Sequence, residues 1–111
     1  MVRAAERVKP EPAMDETTIT RHGNDRAGEY RAHIGGSTAF GRLTWVSHGT
    51  VRVAESTLVP SEIGGRGIAG QLVQALVADA RSHGFKIDPQ CSYVAAAFAR
   101  HPDWADLLQQ A

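Results

Sequence analysis

The sequence predicts an α+β domain built on a mixed, mostly antiparallel sheet, with its elements in the order ββββ-α-β-α. The first half of the chain contains four β-prone segments separated by glycine-containing turns, which is typical of an antiparallel meander. The second half changes to a helical period, returns to a short strand, and ends in an alanine-rich segment. A helix between the fourth and fifth strands favours a crossover, so these two strands can be parallel neighbours.

Length and composition restrict the organisation and the partners. A chain of 111 residues fits one domain, and we expect a disordered tail over residues 1–13 followed by one domain over residues 14–111. Twelve basic and twelve acidic residues give zero net charge, which argues against a nucleic-acid partner or a polybasic membrane contact. No apolar run approaches the ~20 residues of a spanning helix. The single cysteine, Cys91, excludes an internal disulfide and favours a reducing, cytoplasmic location.

The four strands of the meander are predicted from β-prone residues and alternation between turn signals. They cover residues 17–22, 29–34, 38–47 and 50–59. In the second of them, Tyr30, Ala32 and Ile34 share one face. Simple alternation along the fourth strand places one set of side chains on one side and a second set on the other: Val51, Val53, Thr57 and Val59 against Ala54 and Leu58.

The change of period predicts a helix from about Gly67 to His83, with Gly84 as its C-terminal stop. Its apolar face consists of Ile68, Leu72, Val73, Leu76, Val77 and Ala80, and its polar face of Gln71, Gln74, Asp79 and Arg81. A strand over residues 85–87 follows and is ended by Pro89. A second helix is predicted over residues 92–100, and Asp103 is expected to cap a last short helix that carries Trp104, Leu107 and Leu108.

The loop between the fourth strand and the first helix is the most informative segment. Gly64, Gly65 and Gly67 occupy three of four successive positions, and glycine allows a ligand to approach the backbone closely. The first amides of a helix lack internal acceptors and favour an anion, above all a pyrophosphate, to which Arg66 adds charged donors. The loop matches neither a P-loop nor the GxGxxG pattern. The alternative is a glycine-rich turn that only starts the helix.

Three blocks of sequence carry a family resemblance: Leu58-Val59-Pro60 followed by Gly64-Gly65-Arg66-Gly67-Ile68-Ala69, then Pro89-Gln90-Cys91, then Arg100-His101-Pro102. Together they resemble the short, single-domain members of the GNAT N-acetyltransferase superfamily, over about residues 19–108. The sequence departs from the pattern in two places. Gly64 stands where the acetyl-CoA loop usually begins with Gln or Arg, and Ser56-Thr57-Leu58 stands where the short family usually has His-Thr-Glu.

The resemblance implies a GNAT-type sheet that splays between strands four and five and holds acetyl-CoA in the splay. The pantetheine arm would lie beside Leu58 and Val59, with the pyrophosphate on the amides of the glycine loop. The cofactor-binding residues implied in this way are Leu58, Val59, Gly64, Gly65, Arg66, Gly67, Ile68, Ala69, Gly70 and Cys91.

Three side chains are candidates for the chemistry. Cys91 opens the second helix, where a thiol pKa is lowered, and the resemblance places it near the thioester. It would accept the acetyl group or shape the acyl pocket, and the alternative is a small buried apolar residue. Glu55 on strand four is the candidate general base, or else a solvated carboxylate. Tyr93 would protonate the departing thiolate, or else it packs in the core.

These observations predict an acetyl-CoA-dependent N-acetyltransferase that acts on an unidentified amine, whether a small amine, a polyamine or a protein. The first alternative is a CoA-binding module with little or no catalysis, suggested by Ser56 and Leu58. The second is a protein-interaction domain that keeps only the fold. No metal site is expected, because His22, His33, His48 and His83 share no ligand spacing.

Overall fold

A five-stranded sheet in the order β1-β2-β3-β4-β5 organises the structure. The computed structural model describes residues 16–109, so the tail predicted for residues 1–13 lies outside the described residues. The strands are β1 (Thr17–Gly23), β2 (Ala27–Ile34), β3 (Phe40–His48), β4 (Val51–Leu58) and β5 (Lys86–Pro89). The first four form an antiparallel meander, and β5 lies parallel to β4. The predicted α+β class and mixed sheet are therefore confirmed.

Two α-helices and two 3₁₀ helices complete the described chain: α1 (Ile68–His83), α2 (Ser92–Arg100), and 3₁₀ helices at Ser61–Ile63 and Pro102–Leu107. The predicted bounds of α1 are confirmed to within one residue. Both flanking glycines are left-handed, with φ of 71° at Gly67 and 77° at Gly84. The Gly84 amide donates to the carbonyl of Ala80 at 2.8 Å, which ends the helix.

The cap predicted for the last short helix is wrong. His101, not Asp103, is the residue before the first turn, and Pro102 occupies the first helical position. Proline favours that position because its φ is already helical and its missing N–H would have no acceptor there. The helix therefore begins two residues earlier than an Asp103 cap requires, and it is 3₁₀ rather than α-helical.

The core lies on one face of the sheet. Tyr30, Leu43 and Ala54 on that face are at most 1% exposed and pack beneath α1, whose Leu72 and Leu76 are fully buried. Burial of each such leucine stabilises the fold by about 1.5–3 kcal/mol. The opposite face of the sheet is only half buried. Along β2, β3 and β4, the side chains between the core positions are half-buried or exposed.

Asp79 differs from its predicted solvent-facing place on α1. The Tyr30 hydroxyl donates to its carboxylate at 2.8 Å, and Arg21 on β1 donates to both carboxylate oxygens at 2.8 and 2.9 Å. Burial raises the pKa of the Asp79 carboxyl, but these hydrogen bonds outweigh burial and hold the pKa below its usual value. The helical pattern missed this contact because the partners come from two distant strands.

Candidate functional site

A β-bulge interrupts strand β4 in the middle of the sheet. Thr44 and Trp45 are adjacent on β3, yet their partners on β4 are Ser56 and Ala54, so Glu55 is an extra residue on β4. Glu55 is exposed, whereas Ala54 before it is fully buried. The bulge therefore separates the part of β4 that pairs with β5 from the part that leads to the glycine loop.

The bulge reverses the predicted faces of the end of β4. Thr57 pairs with the buried Leu43, and paired residues share a face, so Thr57 points to the helix side of the sheet. Val59 lies on this side too, because a Cβ added to the buried Gly41 would lie 3.3 Å from Val59 Cγ2. The prediction that Thr57 and Val59 share a side with Val51 and Val53 is wrong, since simple alternation takes no account of the extra residue.

Strands β4 and β5 separate immediately after the bulge begins. Their parallel pairing runs from Val51 with Lys86 to Ala54 with Pro89. The last link is the amide of Cys91, which donates to the carbonyl of Ala54 at 2.9 Å. Beyond Ala54 the described β5 offers no further pairing, and Leu58 on this edge is 58% exposed. The edge of β4 from the bulge to the glycine loop is thus left unpaired by β5, and we call the space beside this edge the groove.

The thiol of Cys91 lies at the closed end of this groove. Its Sγ is 3.4 Å from Thr57 Oγ1, and Cys91 is the residue before the first turn of α2. Partial burial raises the pKa of the thiol, but the Thr57 hydroxyl and the nearby amides of Val94, Tyr93 and Thr57 outweigh it, so the pKa is lower than usual. The site therefore makes the thiolate of Cys91 easier to form than that of an exposed cysteine.

The glycine loop lies at the other end of the groove, where α1 begins. Gly65 and Gly67 have φ of 76° and 71°, and a Cβ at either position would meet no heavy atom within 4 Å. Arg66 between them is exposed. Gly67 has no side chain to cap α1, and the amides of Ile68 to Gly70 donate to no acceptor in the described part of the chain. These amides are available to an anion.

The other two candidate side chains, Tyr93 and Glu55, lie on different elements, α2 and β4. Tyr93 packs against the core, and its hydroxyl lies 3.7 Å from the position of a Cβ on Gly70, so it adjoins the first turn of α1. Glu55 lies at the bulge and makes no ion pair with any residue from 16 to 109. The structure thus gathers Cys91, Tyr93 and the loop around the groove, with Glu55 at its margin and no hydrogen bond between the three candidate side chains.

His101 has a structural role in this structure. Its Nδ1 donates to the carbonyl of Ala97 at 2.8 Å, because a carbonyl can only accept. Its ring stacks on Trp104 with centroids 3.9 Å apart and planes 6° from parallel. Both contacts fix the end of α2 against the following 3₁₀ helix.

Sequence reasoning missed Thr57 and the surroundings of Arg52. Thr57 could not be found because its inward orientation depends on the bulge. Arg52 lies on the helix side of β4, stacked against aromatic rings, where a pattern of apolar residues gives no sign of it. Within residues 16–109, no three His, Cys, Asp or Glu side chains lie close enough together to hold a metal ion. None of the helices described is both long and apolar enough to cross a bilayer.

Comparison with known proteins agrees with this architecture. A family model described as GCN5-related N-acetyl-transferase matches residues 29–107. A search of curated proteins finds no match to the chain. The matched segment runs from β2 to the last 3₁₀ helix and includes the bulge, the groove, the glycine loop and Cys91. The chain belongs to the GCN5-related N-acetyltransferase family, whose fold supports acyl transfer.

Proposed function

We propose that this protein is an acetyl-CoA-dependent N-acetyltransferase whose cofactor lies in the groove between β4 and β5. The observation that carries the proposal is the separation of the two strands after Ala54, between a left-handed glycine loop and the Cys91 thiol. The glycine loop at one end of the groove suits an anion, and the Cys91 thiol lies at the other end. This arrangement fits a long cofactor that has phosphates at one end and a thioester at the other.

The pyrophosphate would be held by the loop at the start of α1. The free amides of Ile68, Ala69 and Gly70 and the positive end of the helix dipole favour negative charge. Gly64, Gly65 and Gly67 leave room for phosphate oxygens close to the backbone, and Arg66 adds a guanidinium.

The pantetheine arm would lie along the exposed end of β4. Its amides would pair with the β4 backbone where β5 no longer does, near Leu58 and Val59. The exposed Leu58 side chain supplies an apolar surface for the arm. This arrangement points the thioester toward the bulge and Cys91.

The transfer needs a neutral amine, a stabilised tetrahedral intermediate and a proton for the departing thiolate. Glu55 at the bulge would take the proton from the attacking amine, directly or through water, and Tyr93 would protonate the CoA thiolate. Cys91 lines the acyl pocket. In a covalent variant its thiolate would attack the thioester carbonyl, release CoA, and pass the acetyl group to the amine. The reactive thiol also suits a reducing compartment, so we place the protein in the cytoplasm.

Calorimetric titration with acetyl-CoA and CoA tests the cofactor site. Gly67→Trp should abolish binding by filling the space above the loop. Gly49→Trp is the matched control, because Gly49 is also left-handed, with φ of 62°, also faces open space, and lies in the turn between β3 and β4. No binding by the unmodified chain, or equal loss in both variants, would contradict the proposal.

Catalysis is tested separately by thiol release from acetyl-CoA with a panel of amines. Thiol release that requires an amine supports an acetyltransferase. Binding of acetyl-CoA without thiol release supports the alternative, a CoA-binding module. Ser56 and Leu58, which replace the His and Glu of the short family, favour that alternative. Cys91→Ala distinguishes the two chemical routes. Unchanged acetyl transfer in that variant would exclude the covalent route and leave direct transfer.

A further inference from the structure

A second candidate site lies at the opposite end of α1 from the glycine loop. There the guanidinium of Arg52 lies between two aromatic rings, 3.8 Å from the centroid of Trp45 and 4.3 Å from that of Phe85. Its Nη1 donates to the Tyr30 hydroxyl at 2.8 Å. The two rings and the hydroxyl hold the guanidinium in one orientation, which removes most of the entropy cost of ordering it around a ligand.

Arg52 carries a positive charge that no carboxylate among residues 16–109 pairs with directly. Asp79, which lines the same cavity as Arg52, accepts two hydrogen bonds from Arg21 and one from the Tyr30 hydroxyl. The Tyr30 hydroxyl therefore donates its hydrogen bond to Asp79 and accepts one from Arg52. The other four N–H groups of Arg52 donate to no residue in the described part of the chain. A half-buried guanidinium with unused donors is a strong attraction for an oxyanion.

Two cavities of about 210 and 280 Å³ meet at Arg52, and the three residues that line both are Asn24, Arg52 and His83. The turn between β1 and β2 fixes the Asn24 side chain, because its Oδ1 accepts hydrogen bonds from the amides of Arg26 and Ala27 at 2.8 and 3.2 Å. Its Nδ2 therefore keeps both N–H donors, which no described residue accepts. The boundary between the cavities thus gathers donors from three separate elements.

We propose that Asn24, Arg52 and His83 form a binding site for a small organic monocarboxylate, separate from the groove that would hold acetyl-CoA. The planar fork of Arg52 matches the two oxygens of a carboxylate, and Asn24 and His83 donate from the sides. The surroundings oppose a second negative charge. Asp25 lines the larger cavity, Glu29 and Asp79 line the smaller, and the negative end of the α1 dipole lies beside His83.

The test is a titration of the full chain with acetate at constant ionic strength, with chloride as the balancing anion, followed by NMR. The resonances observed are the Nε–H of Arg52 and the indole N–H of Trp45, which stacks on Arg52. We expect both to shift and saturate at millimolar acetate. The shifts should persist in Gly67→Trp, because the site does not include the glycine loop.

Asn24→Asp is the sharpest variant. It keeps the oxygen that accepts the Arg26 and Ala27 amides and replaces the Nδ2 donors with a second carboxylate oxygen. Acetate affinity should fall at least tenfold. Gln74→Glu adds the same charge at an exposed position of α1 and should leave the affinity unchanged. Arg52→Lys keeps the charge and loses the fork, with an expected loss of at least tenfold.

Three outcomes would overturn the proposal. The first is the absence of a saturable shift at Arg52 and Trp45 in a folded chain. The second is equal weakening by Asn24→Asp and Gln74→Glu, which would indicate a general charge effect. The third is inorganic phosphate acting at these two resonances as strongly as acetate, which would contradict the monocarboxylate assignment.

Discussion

The left-handed conformation of Gly67 makes a quantitative prediction for the start of α1. With φ of 71° and ψ of 18°, this position suits glycine, and a residue with a Cβ pays about 1–2 kcal/mol to adopt it. The Cβ would meet no heavy atom within 4 Å, so no clash adds to that cost. Gly67→Ala should therefore lower the free energy of unfolding by about 1–2 kcal/mol through backbone conformation alone.

Gly70 provides a matched substitution with the opposite sign. It lies inside α1, and its added Cβ would meet only the Tyr93 hydroxyl, at an ordinary contact distance of 3.7 Å. Alanine is favoured over glycine in a helix interior, so Gly70→Ala should raise the free energy of unfolding by about 0.5–1 kcal/mol. The two alanine variants, three residues apart, should differ by about 1.5–3 kcal/mol, or at least tenfold in the unfolding equilibrium.

Urea denaturation measures this difference, provided that the slope with denaturant is the same in both variants. Stability equal to that of the unmodified chain in Gly67→Ala would refute the reasoning, because it would show that Gly67 is not held in the left-handed region. A destabilised Gly70→Ala would show that the start of α1 packs more tightly than the 3.7 Å contact allows.

Three further changes test other parts of the molecule. Asp79→Asn should lower the free energy of unfolding by about 1–3 kcal/mol at neutral pH. The folded pKa of Asp79 lies below the unfolded value of about 3.9. Denaturation should therefore show the full loss of stability above that pH, and the loss should disappear as the pH falls through the folded pKa. Thr57→Val should raise the pKa of the Cys91 thiol and slow its alkylation at neutral pH about threefold, whereas an unchanged rate would exclude the hydrogen bond. Leu58→Ser should change stability by less than about 0.5 kcal/mol, because Leu58 is exposed, yet weaken acetyl-CoA binding in calorimetry about fivefold.

The sequence predicts the parts of the fold that are determined by residues close together in the chain. Gly67 and Gly84 bound α1 because each must leave the right-handed region, and the apolar period between them fixes the buried face. All the strand bounds lie within two residues of the predicted ones. A difference of two residues occurs at the start of β3, which begins at Phe40 because the turn after Ile34 is longer than Gly35-Gly36 suggests.

The parts that the sequence does not predict depend on pairing between distant residues. The bulge at Glu55 arises because β4 has one residue more than the segment of β3 that it pairs with. The sequence of either strand alone does not indicate it. The same holds for Asp79, whose hydrogen-bond partners come from β1 and β2. The roles proposed for Cys91, Glu55 and Tyr93 remain predictions, although the structure places Cys91 beside Thr57.

The bulge allows β4 to contain one extra residue while the pairing on both sides of it stays regular. Ala54 and Thr57 share a face although they are three positions apart, which regular alternation forbids. Deletion of Glu55 would leave Ala54 and Thr57 two positions apart, so regular alternation would keep Thr57 on the face of Ala54 and opposite Leu43. Substitutions at exposed Ser56 would likewise leave the pairing of Thr57 intact. The orientation of Thr57 toward Cys91 therefore depends on its pairing with Leu43 and not on the identity of the residues in the bulge.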